Sequence, residues 1–236
     1  MARPFQKIML KLSGEALNGE SELGIDASAL FRTVSEIKKA RQKGLCMAIT
    51  VGGGNIWRYR DALGLPIERC DSDYLGMMAT LFNAVCLRAE FEKQGVVSYA
   101  CSRLSVPKVL DDYDRRAVRK RFEDGEAVIL AGGTGNPYFT TDSSSALSAL
   151  ELGCDILLKA TKVPYVYDRD PVRYPSAKSF RELSYSEVLT QNYQVMDATA
   201  ISLCQDAKLP IRVFDFFENG NLKALCGGKD VGTLIF

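Results

Sequence analysis

Five short apolar runs, each followed by helical spacing rather than by a tight-turn signal, set the strongest limit on what this chain can fold into. The runs are "KIMLKL" at 7–12, "LCMAITV" at 45–51, "VVSYA" at 96–100, "AVILA" at 127–131 and "DILLKA" at 155–160. Each has the length and composition of a strand buried on both faces. Between the first two, Leu30, Val34 and Ile37 recur at helical spacing and Arg41 breaks the apolar set. Asp26 stands where an N-cap belongs and Gly44 lies just past the end. Further helices are expected over about 72–93, closed by Gly95, and about 112–124, closed by Gly125. Strand and helix alternating without hairpins require parallel strands joined by crossover helices. The expected class is therefore α/β, a three-layer α/β/α sandwich with a mainly parallel central sheet. Past Ala160 the rhythm changes. "TKVPYVYDRDPVRYPSAKSF" suits a hairpin with loops, followed by helices near 184–190 and 197–208 and a strand "IRVFDF" at 211–216.

The chain's 236 residues can bury a full core within one large domain. Its 30 basic and 29 acidic residues argue against binding of nucleic acid or anionic membrane through a bulk field, which leaves local basic clusters open, so any anion must be held by a local site. Seven scattered cysteines without a CxxC pair, and no histidine, leave no zinc-site pattern. They read as reduced packing residues in a cytosol. The apolar run at 8–10 is too short for a signal peptide, and nothing approaches a membrane span. The missing histidine also disfavours triad and zinc hydrolysis, and favours chemistry that needs no strong general base.

Parallel sheets of this kind bind ligands at the carboxyl ends of their strands, and three strands here run into glycine-rich turns. These are "KLSGEAL" at 11–17, "GGGNIWR" at 52–58 and "GGTGNPYFTTD" at 132–142. Any one could be a plain tight turn. Three at one sheet edge make a floor of backbone N–H groups suited to phosphates. Neither GxxxxGK[ST] nor GxGxxG is present. Lys11 and Lys159 stand at the exits of the first and fifth runs. A lone lysine there ordinarily snorkels to solvent, but two beside one glycine floor fit a clamp on a transferred phosphoryl group.

Over nearly its whole length the chain resembles the UMP kinase branch of the amino acid kinase family. The resemblance rests on "KLSGEAL", "GIDASAL", "VGGGNIWR", "DYLGMMAT", "GGTGNPYFTTD", "LKATKV", "LSYSEVL", "VMDATAISL" and "LPIRVFD", in the family's order. It implies an amino acid kinase-like fold in one domain over 1–236, with a UMP-binding part over about 1–155 and an ATP-binding part over about 156–236. The implied reaction is reversible phosphoryl transfer from MgATP to UMP, giving UDP and ADP, in pyrimidine nucleotide biosynthesis. Lys11, Leu12, Ser13 and Gly14 would hold the ATP phosphates, and Lys159 would share the transferred group. Gly53, Gly54 and Arg58 would stand where UMP phosphate and ATP meet, and Asp73 would take a ribose hydroxyl. Thr134, Gly135, Asn136, Pro137, Tyr138, Phe139, Thr140 and Thr141 would line the uridylate pocket. Thr161, Tyr167 and Asp170 match positions around the ATP base and ribose, and Asp142 and Asp197 match acids near the reaction centre. Asp142 equally suits a plain N-cap of its helix. Asp197 could cap its own helix or support Lys11 indirectly. The only cofactor implied is Mg²⁺ carried on the ATP phosphates, with no protein metal site.

The resemblance also implies a cytoplasmic homohexamer, activated by GTP and inhibited by UTP. Two departures stand out. Pro164 and Tyr165 replace a common Asp-Gly pair, and "YRDALG" follows Arg58 where relatives often place glycine. The basic run "RRAVRKRF" at 115–122 reads as a solvated helix face rather than a nucleic-acid site. Met77, Met78 and Phe82 could be core or subunit interface. Two other functions compete: a kinase of the same fold acting on an amino acid carboxylate, and a nucleotide sensor without turnover.

Overall fold

The computed structural model describes residues 5–21, 23–41, 44–58 and 65–236. The whole "YRDALG" departure, at 59–64, lies outside them. In chain order the elements are β1 (Lys7–Leu12), a single 3-10 turn (Gly14–Ala16), α1 (Ala27–Ala40), β2 (Cys46–Val51), α2 (Arg69–Lys93), β3 (Ser98–Ser102), β4 (Asp111–Asp112), α3 (Arg115–Glu123) and β5 (Ala127–Ala131). There follow α4 (Thr141–Leu152), β6 (Ile156–Thr161), β7 (Val166–Tyr167), β8 (Ser179–Phe180), β9 (Glu182–Leu183), α5 (Tyr185–Thr190), α6 (Ala198–Ala207), β10 (Ile211–Asp215), α7 (Asn221–Cys226) and β11 (Thr233–Ile235).

Among the described residues, nine strands form one sheet in the order β4-β3-β5-β2-β1-β6-β10-β11-β9, in which only the β10–β11 pairing is antiparallel. The separate β7–β8 pair is the expected hairpin. Strand period divides the core between two layers. From β1, Ile8, Leu10 and Leu12 pack with Val34 and Ile37 of α1, Leu87 and Phe91 of α2 and Leu222 of α7. Met9 points the other way, toward Val118 and Phe122 of α3, Ala149 of α4 and Ile201 of α6. Both faces are thus covered, which is what a parallel sheet with continuous apolar strands requires.

Several boundaries differ from the sequence reading for visible reasons. Helix α2 starts at Arg69, earlier than expected, and Glu68 before it makes no side-chain cap that would mark the start in the sequence. The third strand begins at Ser98, since Val96 still donates its N–H to Phe91 O at the end of α2. Asp112 lies in β4, and α3 begins only after Asp114, whose carboxylate accepts from Ala117 N. On α3, Val118 and Phe122 are buried while its six basic and acidic neighbours Arg115, Arg116, Arg119, Lys120, Arg121 and Glu123 face solvent, as a solvated amphipathic helix should.

Candidate active site

Lys11 and Lys159 are direct register partners on the adjacent parallel strands β1 and β6. Such neighbours stand about 4.8 Å apart, with side chains on the same side of the sheet. Lys11 shares that side with Met9, so both ammoniums face α4. Asp142, in the first turn of α4, meets them there: Oδ1 lies 2.7 Å from Lys11 Nζ and Oδ2 lies 2.6 Å from Lys159 Nζ. All three side chains are nearly buried, at 11%, 11% and 12% exposure. Burial opposes charging Asp142, but the two ammoniums outweigh it and hold the carboxyl below its ordinary range. Burial pushes Lys159 down to about 8, with Lys11 adding to the shift and Asp142 opposing it.

The capping reading of Asp142 is corrected by this geometry. Thr140 is the N-cap, its Oγ1 accepting from Asp142 N at 3.0 Å, and so the Asp142 carboxylate is free to turn to the lysines. Asp197 does cap its own helix, accepting from Ala200 N at 2.8 Å. Its carboxylate also accepts from Ser143 Oγ and Thr140 Oγ1, which joins the starts of α6 and α4. Its link to the lysines therefore runs through the cap of α4.

Glycine matters most where the first two turns meet. A Cβ on Gly14 would come within 2.3 Å of Asn55 Oδ1 and 2.6 Å of Gly52 O, and one on Gly53 within 2.5 Å of Gly76 O. The turns pack on each other and on α2, with no room for a side chain between. Asn55 and Asn83, both fully buried, brace this arrangement by exchanging amide hydrogen bonds of 3.0 and 2.8 Å. Asn83 also donates to Gly52 O at 2.9 Å.

Two cavities lie close to the lysine pair. The first, about 320 Å³, is lined by Lys11, Ser13, Lys159, Thr161 and Lys162 among others. Leu12 is buried beneath it in the sheet. At its rim Glu15 takes Lys162 Nζ at 2.8 Å and Arg58 Nη2 at 3.0 Å, while Arg58 Nε donates to Gly54 O at 2.5 Å. Tyr167 and Asp170 are not part of its lining. Tyr167 lies in β7, edge-on to Tyr165, and Asp170 caps the local turn at Val172 N.

The other cavity, about 200 Å³, is lined by Gly53, Trp57, Asp73, Phe139, Thr140 and Thr141 among others. It reaches Thr141, the residue before Asp142, so the Asp142 bridge connects a neighbour of this lining to the two lysines that line the first cavity. Asp73 accepts from Arg69 Nε through both oxygens at 2.9 Å and from Tyr138 N at 2.8 Å. Tyr138 holds φ of 69°, a left-handed conformation that costs a non-glycine residue about 1 kcal/mol, and the Asp73 bond helps to hold it. Thr134 and Asn136 bond mainly to each other in this loop, Pro137 is only partly exposed, and Gly135 turns against Arg103.

The sequence reading assigned no role to Glu15, Lys162, Asn55 or Asn83. The first three lie inside motifs that it quoted, and that was the available signal. A larger concavity, about 700 Å³, runs along α2 between Trp57, Met78, Phe82 and Val106, and its described lining holds no charged group. Met77 is core, whereas Met78 and Phe82 are 54% and 67% exposed. Burial raises the thiols of Cys101, Cys154, Cys204 and Cys226 to about 12, which leaves them inert packing groups.

Residues 6–215 match the amino acid kinase family. The fold is also similar to solved structures over essentially its full length. UMP kinase from Bacillus anthracis is 34% identical with a TM-score of 0.95, covering 99% of this chain and 96% of that one. UMP kinase from Ureaplasma parvum is 32% identical with a TM-score of 0.91, covering 98% of each chain. Uridylate kinase from Archaeoglobus fulgidus is 27% identical with a TM-score of 0.72, covering 97% of this chain and 99% of that one.

Proposed function

The chain belongs to the amino acid kinase family, and we propose that within it the protein is a UMP kinase, transferring the γ-phosphoryl group of MgATP to UMP. The observation that carries this reading is the Asp142-bridged lysine pair lining one cavity, read as the donor side, with Thr141 beside the bridge lining a second, read as the acceptor side. The full-length likeness to UMP kinases supports it.

In the reaction a UMP phosphate oxygen forms the new P–O bond while the bond between the γ-phosphorus and the β–γ bridging oxygen breaks, and ADP leaves. The acceptor phosphate has a second pKa of about 6, so it is already ionised near neutral pH and no protein base is needed. The protein's work is to bring two polyanions together in line. Lys11 and Lys159 take opposite sides of the transferred group, and exchange of their Asp142 contacts for phosphoryl oxygens keeps the cations paired throughout. Leu12, Ser13, Gly14, Gly53 and Gly54 supply backbone to the phosphates, and Arg58 stands where donor and acceptor meet. Asp73 and the 134–141 loop hold the uridylate side. Thr161 approaches the donor nucleoside, with Tyr167 and Asp170 on the adjoining hairpin. Mg²⁺ arriving with the donor nucleotide would supply charge neutralisation for the phosphates. The carboxylates Asp142, Glu15 and Asp73 are each paired with cations, a donor set that suits an ion carried by phosphate oxygens rather than by side chains.

The reading extends to a cytoplasmic homohexamer with GTP and UTP as opposing effectors. The exposed Met78 and Phe82 beside an apolar trench support burial against another subunit. No helix among the described residues is long and apolar enough to cross a membrane.

A coupled assay with MgATP and UMP, CMP, dUMP, glutamate, aspartate or acetylglutamate as acceptor tests the reading. UMP should give the highest kcat/KM. A hydroxylamine-labile product from a carboxylate acceptor would reassign the substrate class, and no turnover with any acceptor would make the protein a sensor.

The rate should also depend on pH in a defined direction. Lys159 acts as a cation, and its pKa in the free protein is near 8, so kcat/KM should fall as pH rises through about that value. Bound phosphates favour the charged amine, so the alkaline limb of kcat should lie higher. An acidic limb near pH 6 is expected from the acceptor phosphate itself. A profile flat to pH 10 would remove Lys159 from this role.

A further inference from the structure

Two carboxylates divide four cations at the cleft. Asp142 holds Lys11 and Lys159 at the buried strand ends, and Glu15 holds Arg58 and Lys162 at the rim. Glu15 has a fixed starting point. It lies in the one-turn 3-10 helix capped by Ser13, and the preceding Gly14 is wedged against Asn55 and Gly52. From there Oε1 reaches Arg58 in the segment after β2 and Oε2 reaches Lys162 in the segment after β6. The carboxylate therefore spans the mouth of the donor-side cavity, from one loop to the other.

The two arms are unequal. Arg58 is held twice, by Glu15 and by Gly54 O, and its side chain is 25% exposed. Lys162 is 62% exposed on a flexible stem. Lys162 contributes most to holding the Glu15 carboxyl below its ordinary range, ahead of Arg58, against the cost of partial burial. A polyphosphate carries several charges and would outbid a single carboxylate for an exposed ammonium, while the doubly tethered guanidinium would stay.

We propose that Glu15 is a positioning residue that fixes Arg58 and competes with the donor's polyphosphate for Lys162, so that Lys162 passes from Glu15 to the phosphates when the donor binds. The proposal rests on the reading of this cavity as the MgATP site. It makes Glu15 a brake on ground-state donor affinity. Lys162 becomes a third phosphate-binding cation beside Lys11 and Lys159.

The test is a double-mutant cycle on Glu15→Gln and Lys162→Met, with the dissociation constant for MgATP measured calorimetrically without acceptor. Glu15→Gln is isosteric at a side chain one-third exposed, and melting curves verify that each variant is folded. Glu15→Gln should tighten MgATP binding about fivefold to tenfold and change UMP binding less than about twofold, while kcat falls several-fold because Arg58 loses one tether. In the Lys162→Met background the gain should shrink to less than about twofold. Unchanged or weaker MgATP binding in Glu15→Gln would overturn the proposal. A gain of equal size in both backgrounds would overturn it too, because it would show simple removal of a negative charge rather than release of Lys162. A wild-type protein that binds no MgATP would instead overturn the reading of the cavity itself.

Discussion

Lys159→Met is expected to cut kcat about a thousandfold, leave the dissociation constant for UMP within about twofold, and cost little or no thermal stability. Lys11→Met should act in the same direction. The rate loss follows from removing a cation placed where charge spreads over the transferring phosphoryl oxygens, the kind of contact whose deletion costs about 10² to 10³ in rate or more. Stability follows a different balance. The Lys159 side chain is nearly buried, and its burial already disfavours the charged amine. Methionine fills much the same volume without a charge to desolvate, and Asp142 keeps Lys11 as its partner. Steady-state kinetics with a thermal melt on the same preparations checks both halves, and unchanged turnover would take Lys159 out of the clamp.

Asp142→Ala should behave in the opposite way, losing turnover and stability together. Two ammoniums on register-paired positions of adjacent strands would face each other in a nearly buried site without the carboxylate between them. Breaking a buried ion pair from one side costs about 3–5 kcal/mol, a shift of several degrees in Tm for a chain of this size. The loss should be partly recovered in the Asp142→Ala, Lys159→Met double variant, which removes the repulsion, while turnover stays low. A single variant as stable as wild type would mean that Asp142 is no structural counter-ion, and stability regained together with activity would mean that Lys159 is dispensable.

Much of this site could be read from the chain because its parts are local. The strand exits at Lys11 and Lys159 follow from two apolar runs, and the glycine turns follow directly in sequence. Equal placement near two strand ends carries over into register pairing only because β1 and β6 are neighbours, and adjacency in a sheet is not encoded in spacing. The fold was legible for the same reason: β1 and β5 have the expected bounds, being apolar throughout and flanked by clear breaks. Strand β11 was missed, since three residues pairing antiparallel to β10 leave no periodicity to detect.

What the chain left unread is tertiary. Asp142 looks like an N-cap because an acid opens a helix there, but Thr140 stands two residues earlier and takes the role. The Asn55–Asn83 amide pair and the Glu15 bridge join residues far apart in the chain, and only the folded backbone brings them together. Asp73 was expected at a ribose hydroxyl. The structure shows it already holding Arg69 and the strained Tyr138 backbone, so a ribose there would have to share the carboxylate.

The most direct measurement is a crystal structure of the protein with UMP and a non-transferable ATP analogue bound together. Lys11 Nζ and Lys159 Nζ should then lie within about 3 Å of oxygens on the γ-phosphoryl group, facing the UMP phosphate in line. Either amine pointing away from that junction, with the phosphates settled elsewhere, would contradict the assignment.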